Sequence, residues 1–113
     1  MNVLIGDIGN TNTKISLVEI KNFKVIKNIY FNSSDISSKI MLKKKLKIIY
    51  KGNNVKKVAL FSSVVPKYYF LLKKFLMKYY KVKLIEIKEN KINKIVKINI
   101  KNKKQIGSDR IAN

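Results

Sequence analysis

The amino-terminal part of the chain alternates between apolar and polar positions with the period of β-strands. Asn2–Asp7 is a mainly apolar run that ends on an acid, Thr13–Glu19 alternates residue by residue, and Lys24–Phe31 is a third run of the same kind. The polar stretch centred on Gly9 and Asn10 separates the first two runs and is typical of a tight hairpin loop. The pattern therefore predicts a three-stranded meander.

The apolar positions then recur at near-helical spacing, which predicts a first helix. Ser33 and Ser34 are its candidate N-caps, because a hydroxyl can accept a hydrogen bond from an unpaired N–H of the first turn. Gly52 and the two asparagines after it end the helix. The apolar positions assigned to this segment are Ile36, Ile40, Leu42, Leu46, Ile49 and Tyr50.

A second helix lies between two further strands. Val58–Ser62 has the length of a short strand, Pro66 suits the first position of a helix, and Val82–Ile87 is a fifth strand. The helix is expected to place one apolar face against the sheet: Tyr68, Leu72, Phe75, Leu76 and Tyr79.

The last part of the chain is less clearly patterned. Residues 89–104 are rich in Lys and Asn, and Gly107 with Ser108 looks like the start of a final helix, with Ser108 as its N-cap. The predicted order is β-β-β-α-β-α-β in one α/β domain over residues 1–113, truncated at the start of a following helix. We interpret the chain as the first half of something larger, or as a remnant of it.

The charge of the chain is extreme, with a formal net charge of +20. Such a charge suggests a polyanionic partner, but Arg110 is the only arginine among the 26 basic residues. Nucleic-acid surfaces rely on arginine for bidentate contacts, and these lysines are spread along the chain rather than clustered. The favoured explanation of the high lysine content is therefore an AT-rich genome, whose codon bias places lysine at solvent-exposed positions, and nucleic-acid binding is the less favoured one. In a chain so rich in lysine, the single arginine next to Asp109 indicates a position that requires the planar set of donors of a guanidinium group.

The chain contains neither cysteine nor histidine. Within these residues this excludes disulfides, thiol catalysis, Ser-His-Asp triads and zinc sites built on those side chains. No apolar stretch reaches the roughly 18 residues of a transmembrane helix, and no signal-peptide pattern opens the chain. We expect a soluble, cytoplasmic protein without a membrane partner.

The most informative string, Asp7–Lys14, begins at the last residue of the first predicted strand. Gly9 permits a tight turn whose backbone N–H groups can cradle a phosphate, and Asn10, Thr11 and Thr13 add side-chain donors. Asp7 would hold Mg²⁺ through water, and Lys14, at the end of the string, supplies a compact positive charge. Taken alone, the string is also compatible with a plain hairpin loop closed by Asx turns.

The second string, Gly107–Arg110, places a glycine, a hydroxyl, an acid and the arginine side by side. Asp109, in the first helical turn, could accept a proton from a substrate hydroxyl during phosphoryl transfer, and Arg110 could hold an anionic group. The alternative is an ordinary helix start capped by Ser108. Ser62 and Ser63, between a strand and a helix, could touch a substrate or simply cap that helix.

The chain resembles the type III pantothenate kinases, of the superfamily of acetate and sugar kinases, heat-shock cognate proteins and actin. The match covers nearly all of the chain but about the first half of a family member. Its three blocks are Asp7-Ile8-Gly9-Asn10-Thr11-Asn12-Thr13, Ser62-Ser63-Val64-Val65-Pro66 and Gly107-Ser108-Asp109-Arg110-Ile111-Ala112-Asn113.

The resemblance implies a ribonuclease H-like domain, the amino-terminal lobe of an actin-like ATPase whose carboxyl-terminal lobe is absent. It implies ATP-dependent phosphorylation of pantothenate at its primary hydroxyl, the first step of coenzyme A synthesis. Asp7–Lys14 would bind ATP with Asp7 as the Mg²⁺ ligand, and Gly107–Arg110 would line the pantothenate site with Asp109 as the catalytic base. The two strings would face one cleft. Family members also use a monovalent cation, K⁺ or ammonium, and are homodimers.

The sequence departs from the family pattern in places. Ile100 stands about where a pocket tyrosine is expected, and the family's second phosphate motif and adenosine pocket lie beyond Asn113. These 113 residues by themselves are therefore not expected to catalyse. The alternatives are a catalytically inactive remnant, an accessory or regulatory protein of the same fold and, less favoured, a small basic nucleic-acid-binding protein.

Overall fold

The structure, a computed structural model, describes residues 1–87. Within them, five strands form one mixed sheet in the order β3-β2-β1-β4-β5. β2 is antiparallel to both β1 and β3, and β4 is parallel to both β1 and β5. The strands are β1 (Asn2–Ile8), β2 (Asn12–Glu19), β3 (Lys24–Asn32), β4 (Val55–Ser63) and β5 (Lys83–Glu86). The predicted order of strands and helices is confirmed over these residues.

The first helix begins later than the sequence predicted. A 3₁₀ turn, Ser33–Ser37, comes first, and helix α1 (Lys39–Tyr50) follows. Its cap is Ser38, whose hydroxyl accepts a hydrogen bond from the Met41 N–H. The prediction that Ser33 or Ser34 caps this helix is therefore wrong.

Helix α2 (Pro66–Tyr80) begins as predicted, with Pro66 in its first turn. Its buried face consists of Tyr69, Leu72, Phe75 and Leu76. Tyr69 replaces the predicted Tyr68 at the centre of that face, and Tyr79 lies at its exposed margin. In α1 the buried residues are Leu42, Leu46 and Ile49, whereas Ile40 is 80% exposed, so its assignment to the buried face was wrong.

Both helices pack on the same face of the sheet. The core joins their buried residues to alternate positions of the central strands, such as Leu4 and Ile8 in β1 and Ala59 and Phe61 in β4. Gly6 lies between Leu4 and Ile8, and the Phe61 ring occupies the space that a Cβ at Gly6 would need. This packing fixes β1 against β4, so that their carboxyl ends stop side by side.

The opposite face of the sheet has no helix packed on it within residues 1–87. Val58 of β4, Ile85 of β5 and Tyr30 of β3 are exposed on this face. Among the described residues no helix is both long and apolar enough to cross a membrane. The predicted final helix and residues 89–104 lie outside the described residues.

Candidate functional site

The carboxyl ends of β1 and β4 bring a carboxylate and a hydroxyl together. Asp7 and Ser62 are direct neighbours in the parallel register, and the Ser62 hydroxyl donates a hydrogen bond to Asp7 Oδ1 at 2.8 Å. Asp7 is exposed, whereas Ser62 is only 4% exposed. This is the edge at which open α/β sheets bind ligands.

The loop after Asp7 is a tight hairpin turn between β1 and β2. The Gly9 N–H donates to the Asn12 carbonyl at 3.0 Å, and a Cβ at Gly9 would lie 2.9 Å from that oxygen. A larger residue would therefore force the turn open, which explains the glycine. Asn10, Thr11 and Asn12 are exposed, so the loop presents polar groups to solvent beside Asp7.

Buried hydrogen bonds tie this loop to the 3₁₀ turn. The Ser33 N–H donates to the Thr11 carbonyl at 2.8 Å, and the Ser33 hydroxyl donates to the Gly9 carbonyl at 2.7 Å. The Thr13 hydroxyl lies 2.7 Å from Ser33 Oγ. Since Ser33 has one hydroxyl hydrogen and gives it to Gly9, Thr13 is the donor to Ser33. The loop is thus held from its inner side before any ligand arrives.

This arrangement corrects one expectation about the loop. The Thr13 side chain is fully buried and bonded to Ser33, so its hydroxyl supports the loop instead of facing a ligand. The Ile8 side chain is likewise fully buried in the core, which leaves only its main chain near the site. Binding of ATP by the remaining residues of the string stays a prediction.

A row of four side chains crosses the open face of the sheet at this edge. Ser62, Asp7, Lys14 and Tyr30 are successive register partners on β4, β1, β2 and β3. The Lys14 ammonium lies 5.7 Å from the centre of the Tyr30 ring, a cation–π contact. Asp7 and Lys14 were predicted site residues. The pairs Asp7–Ser62 and Lys14–Tyr30 were not predicted, since they depend on strand register.

The neighbouring Ser63 has a local role. Its hydroxyl accepts a hydrogen bond from the Val65 N–H at 3.1 Å, just before α2. The residue at the N-cap position is Val65, which makes no side-chain capping bond. Ser63 therefore closes a short turn ahead of the helix, and neither serine is the cap that the sequence suggested.

The donor set at this edge fits one kind of cation. Within residues 1–87 no group of three or more Asp, Glu, His or Cys side chains could hold a metal ion between them. One exposed carboxylate beside a polar loop instead fits Mg²⁺, which is commonly held by one or two carboxylates, phosphate oxygens and water. Asp7 is the residue that would supply the carboxylate.

The second predicted string lies outside the described residues. Gly107, Ser108, Asp109 and Arg110 therefore have no observed position relative to Asp7, and the same holds for Ile100. The expectation that the two strings face one cleft stays a prediction.

Comparison with solved structures defines the class of fold. A ROK family transcriptional regulator, a homologue of the E. coli MLC protein, matches with a TM-score of 0.60 and 11% identity, covering 83% of this chain and 29% of that chain. A proposed N-acetylmannosamine kinase from Listeria monocytogenes matches with a TM-score of 0.58 and 13% identity. The match covers 92% of this chain and 40% of the Listeria chain. These likenesses show the fold, which is the ribonuclease H-like fold predicted from the sequence.

Sequence comparison identifies the family within that class. The family model described as type III pantothenate kinase matches residues 3–113. A curated type III pantothenate kinase from Pelagibacter ubique (strain HTCC1062) is 44% identical over 111 residues, which are 98% of this chain and 44% of that protein. The chain belongs to the type III pantothenate kinase family and spans less than half the length of this relative.

Proposed function

We propose that the protein transfers a phosphoryl group from ATP to the primary hydroxyl of pantothenate, the first step of coenzyme A synthesis. The structural observation that carries this proposal is the preorganised loop Gly9–Asn12, tied down through Ser33 next to the exposed Asp7 carboxylate. Membership of the type III pantothenate kinase family supports the choice of pantothenate as the acceptor.

The loop and its neighbours would position the triphosphate. Phosphoryl transfer depends on positioning and charge stabilisation more than on covalent chemistry. The backbone N–H groups of the exposed residues Asn10 and Thr11 would face the phosphates, with Lys14 adding positive charge from the next strand. Asp7 would be the Mg²⁺ ligand, and the ion, when bound, would neutralise charge on the phosphate oxygens.

The acceptor side of the reaction is assigned to the second string. Asp109 would accept the proton of the pantothenate hydroxyl as that oxygen attacks the terminal phosphorus of ATP; the bond from this phosphorus to the bridging oxygen breaks and ADP leaves. Arg110 would orient the acceptor through an anionic group. Gly107 and Ser108 would complete the wall of that pocket. By the same family membership, we include a monovalent cation, K⁺ or ammonium, a homodimer and a cytoplasmic location in the proposal.

The proposal is tested with the protein at its natural length. ATP-dependent formation of phosphopantothenate should be measured by mass spectrometry for the wild type, for Asp109→Asn and for Asp35→Asn, an acidic control in the 3₁₀ turn. We expect product from the wild type and the control, and a loss of roughly 10²- to 10⁴-fold in kcat for Asp109→Asn. Wild-type protein that consumes no ATP in the presence of pantothenate would overturn the proposed function.

A further inference from the structure

The hydrogen bond between Ser62 and Asp7 is a long-range contact placed at the proposed phosphate site. It joins residues 55 positions apart in the chain, across two strands that are direct neighbours only because β4 pairs with β1. Ser62 is almost completely buried, and its hydroxyl hydrogen is already donated to Asp7. The described contacts therefore connect Ser62 to a ligand through Asp7.

The geometry leaves one oxygen of Asp7 free. Ser62 has a single hydroxyl hydrogen and donates it to Oδ1. Among residues 1–87 no other side chain makes a hydrogen bond to this carboxylate. The hydroxyl thus fixes the orientation of the carboxylate while Oδ2 stays available.

The neighbour of Asp7 on β2 also leaves the carboxylate available to a ligand. Lys14 is its register partner on β2, and its ammonium lies over the Tyr30 ring rather than on the Asp7 carboxylate. A neutral hydroxyl therefore orients Asp7, and within residues 1–87 no cationic side chain forms an ion pair with the Asp7 carboxylate. That combination suits a carboxylate that must attract a cation.

We propose that Ser62 is a positioning residue that acts through Asp7 to strengthen Mg²⁺-dependent nucleotide binding. The inference rests on the proposed function, and it assigns to Ser62 a role in the site that the sequence did not predict. Hydrogen-bond partners of metal ligands keep those ligands oriented, and their loss typically weakens metal affinity by about 10- to 100-fold. Ser62 belongs to this class because, within residues 1–87, the one side chain to which it hydrogen-bonds is the proposed ligand.

The test compares nucleotide binding with and without Mg²⁺ by isothermal titration calorimetry, on the protein at its natural length. Ser62→Ala should weaken Mg²⁺-ATP binding by about 10-fold or more while ATP binding measured in EDTA changes little. Ser62→Thr keeps the donor and should restore most of the Mg²⁺-dependent gain. Ser63→Ala is the matched control, because that hydroxyl bonds to the Val65 backbone and not to Asp7.

A double-mutant cycle with Asp7→Asn separates positioning from a general structural effect. In the Asp7→Asn background, Ser62→Ala should cause no further loss of Mg²⁺-ATP affinity, since the path through the carboxylate is already broken. Ser62→Cys, similar in size with a weak donor, gives the same comparison if Ser62→Ala does not fold.

The outcomes distinguish this inference from the proposed function. If the wild type binds Mg²⁺-ATP and Ser62→Ala binds it equally well, the positioning role is overturned and the proposed function stands. A Ser62→Ala protein that loses affinity equally with and without Mg²⁺ would also overturn the positioning role. Wild-type protein that binds no Mg²⁺-ATP would overturn both.

Discussion

Among the individual residues, Tyr50 carries a group whose environment is unfavourable. Its ring stacks on Tyr80 with centroids 4.0 Å apart, and its hydroxyl is buried without a hydrogen-bond partner in the described part of the chain. A buried hydroxyl that makes no hydrogen bond costs roughly 1–3 kcal/mol in desolvation. The stacking contact therefore keeps the Tyr50 ring in a position where its hydroxyl makes no hydrogen bond to the described residues.

Removing that hydroxyl should stabilise the fold. We expect Tyr50→Phe to raise the free energy of unfolding by about 1 kcal/mol, measured by urea denaturation. Tyr69→Phe is the matched control, because the Tyr69 hydroxyl donates to the Leu84 carbonyl at 3.3 Å and its loss should destabilise. A Tyr50→Phe protein less stable than the wild type would show that the hydroxyl has a partner in solution.

The same residue predicts a direction for the alkaline pH dependence. Burial, and then the neighbouring Tyr80, raise the pKa of Tyr50 above its ordinary range. The folded protein therefore holds this proton more tightly than the unfolded chain, so the associated stability is complete below about pH 10 and falls as the pH rises further. Tyr50→Phe should reduce the alkaline slope, and an unchanged slope would contradict this assignment.

At the scale of secondary-structure elements, the hairpin loop and the 3₁₀ turn behave as one unit. Ser33 contributes both its N–H and its hydroxyl to the loop, and the hydroxyl also accepts from Thr13. Such preorganisation lowers the cost of ordering the loop when a ligand binds. The turn Ser33–Ser37 is thus part of the site although it makes none of the predicted ligand contacts.

Loss of the Ser33 hydroxyl should loosen the loop. Ser33→Ala leaves the buried Thr13 hydroxyl and the Gly9 carbonyl without their partner, and we expect a loss of about 1–3 kcal/mol in stability. Amide hydrogen exchange of residues 10–12 should become faster. Ser34→Ala changes the adjacent exposed hydroxyl and should leave both measurements unchanged. Equal exchange rates in Ser33→Ala and the wild type would contradict the proposed tie.

The elements themselves were largely predictable from local patterns. Alternation identified β1, β2 and β3 to within one or two residues, and Pro66 marked the start of α2. The start of α1 was missed because four serines ahead of it offer similar hydroxyls: Ser33, Ser34, Ser37 and Ser38. The choice among them is made by the burial of Ser33 under the loop, a long-range contact that leaves no local signal.

At the scale of the whole molecule, one sheet face is covered and the other is open within residues 1–87. Both helices pack on the first face, while the row from Ser62 to Tyr30 lies on the second. Exposed lysines occur on strands and helices alike, among them Lys14, Lys43, Lys56 and Lys73. This spread agrees with the interpretation of the charge as a solvated surface, and the absence of a nucleic-acid partner stays a prediction.

The candidate site was predictable in its chemistry but not in its pairings. The string Asp7–Lys14 could be chosen from its glycine and small polar residues. The Asp7–Ser62 bond, the buried Thr13 and the Lys14–Tyr30 contact depend on which strands become neighbours. The charged residues of the site were therefore predictable from the sequence, and the residues that orient them were not.

The central claim is that the loop near the amino terminus and Asp109 face one nucleotide in a single cleft. The direct measurement is a crystal structure of the protein at its natural length with Mg²⁺, a non-hydrolysable ATP analogue and pantothenate. The account predicts the triphosphate on the backbone of Gly9–Asn12, the metal beside Asp7, and the Asp109 carboxylate at the pantothenate hydroxyl. Carboxylates of Asp7 and Asp109 on opposite sides of the molecule would contradict it.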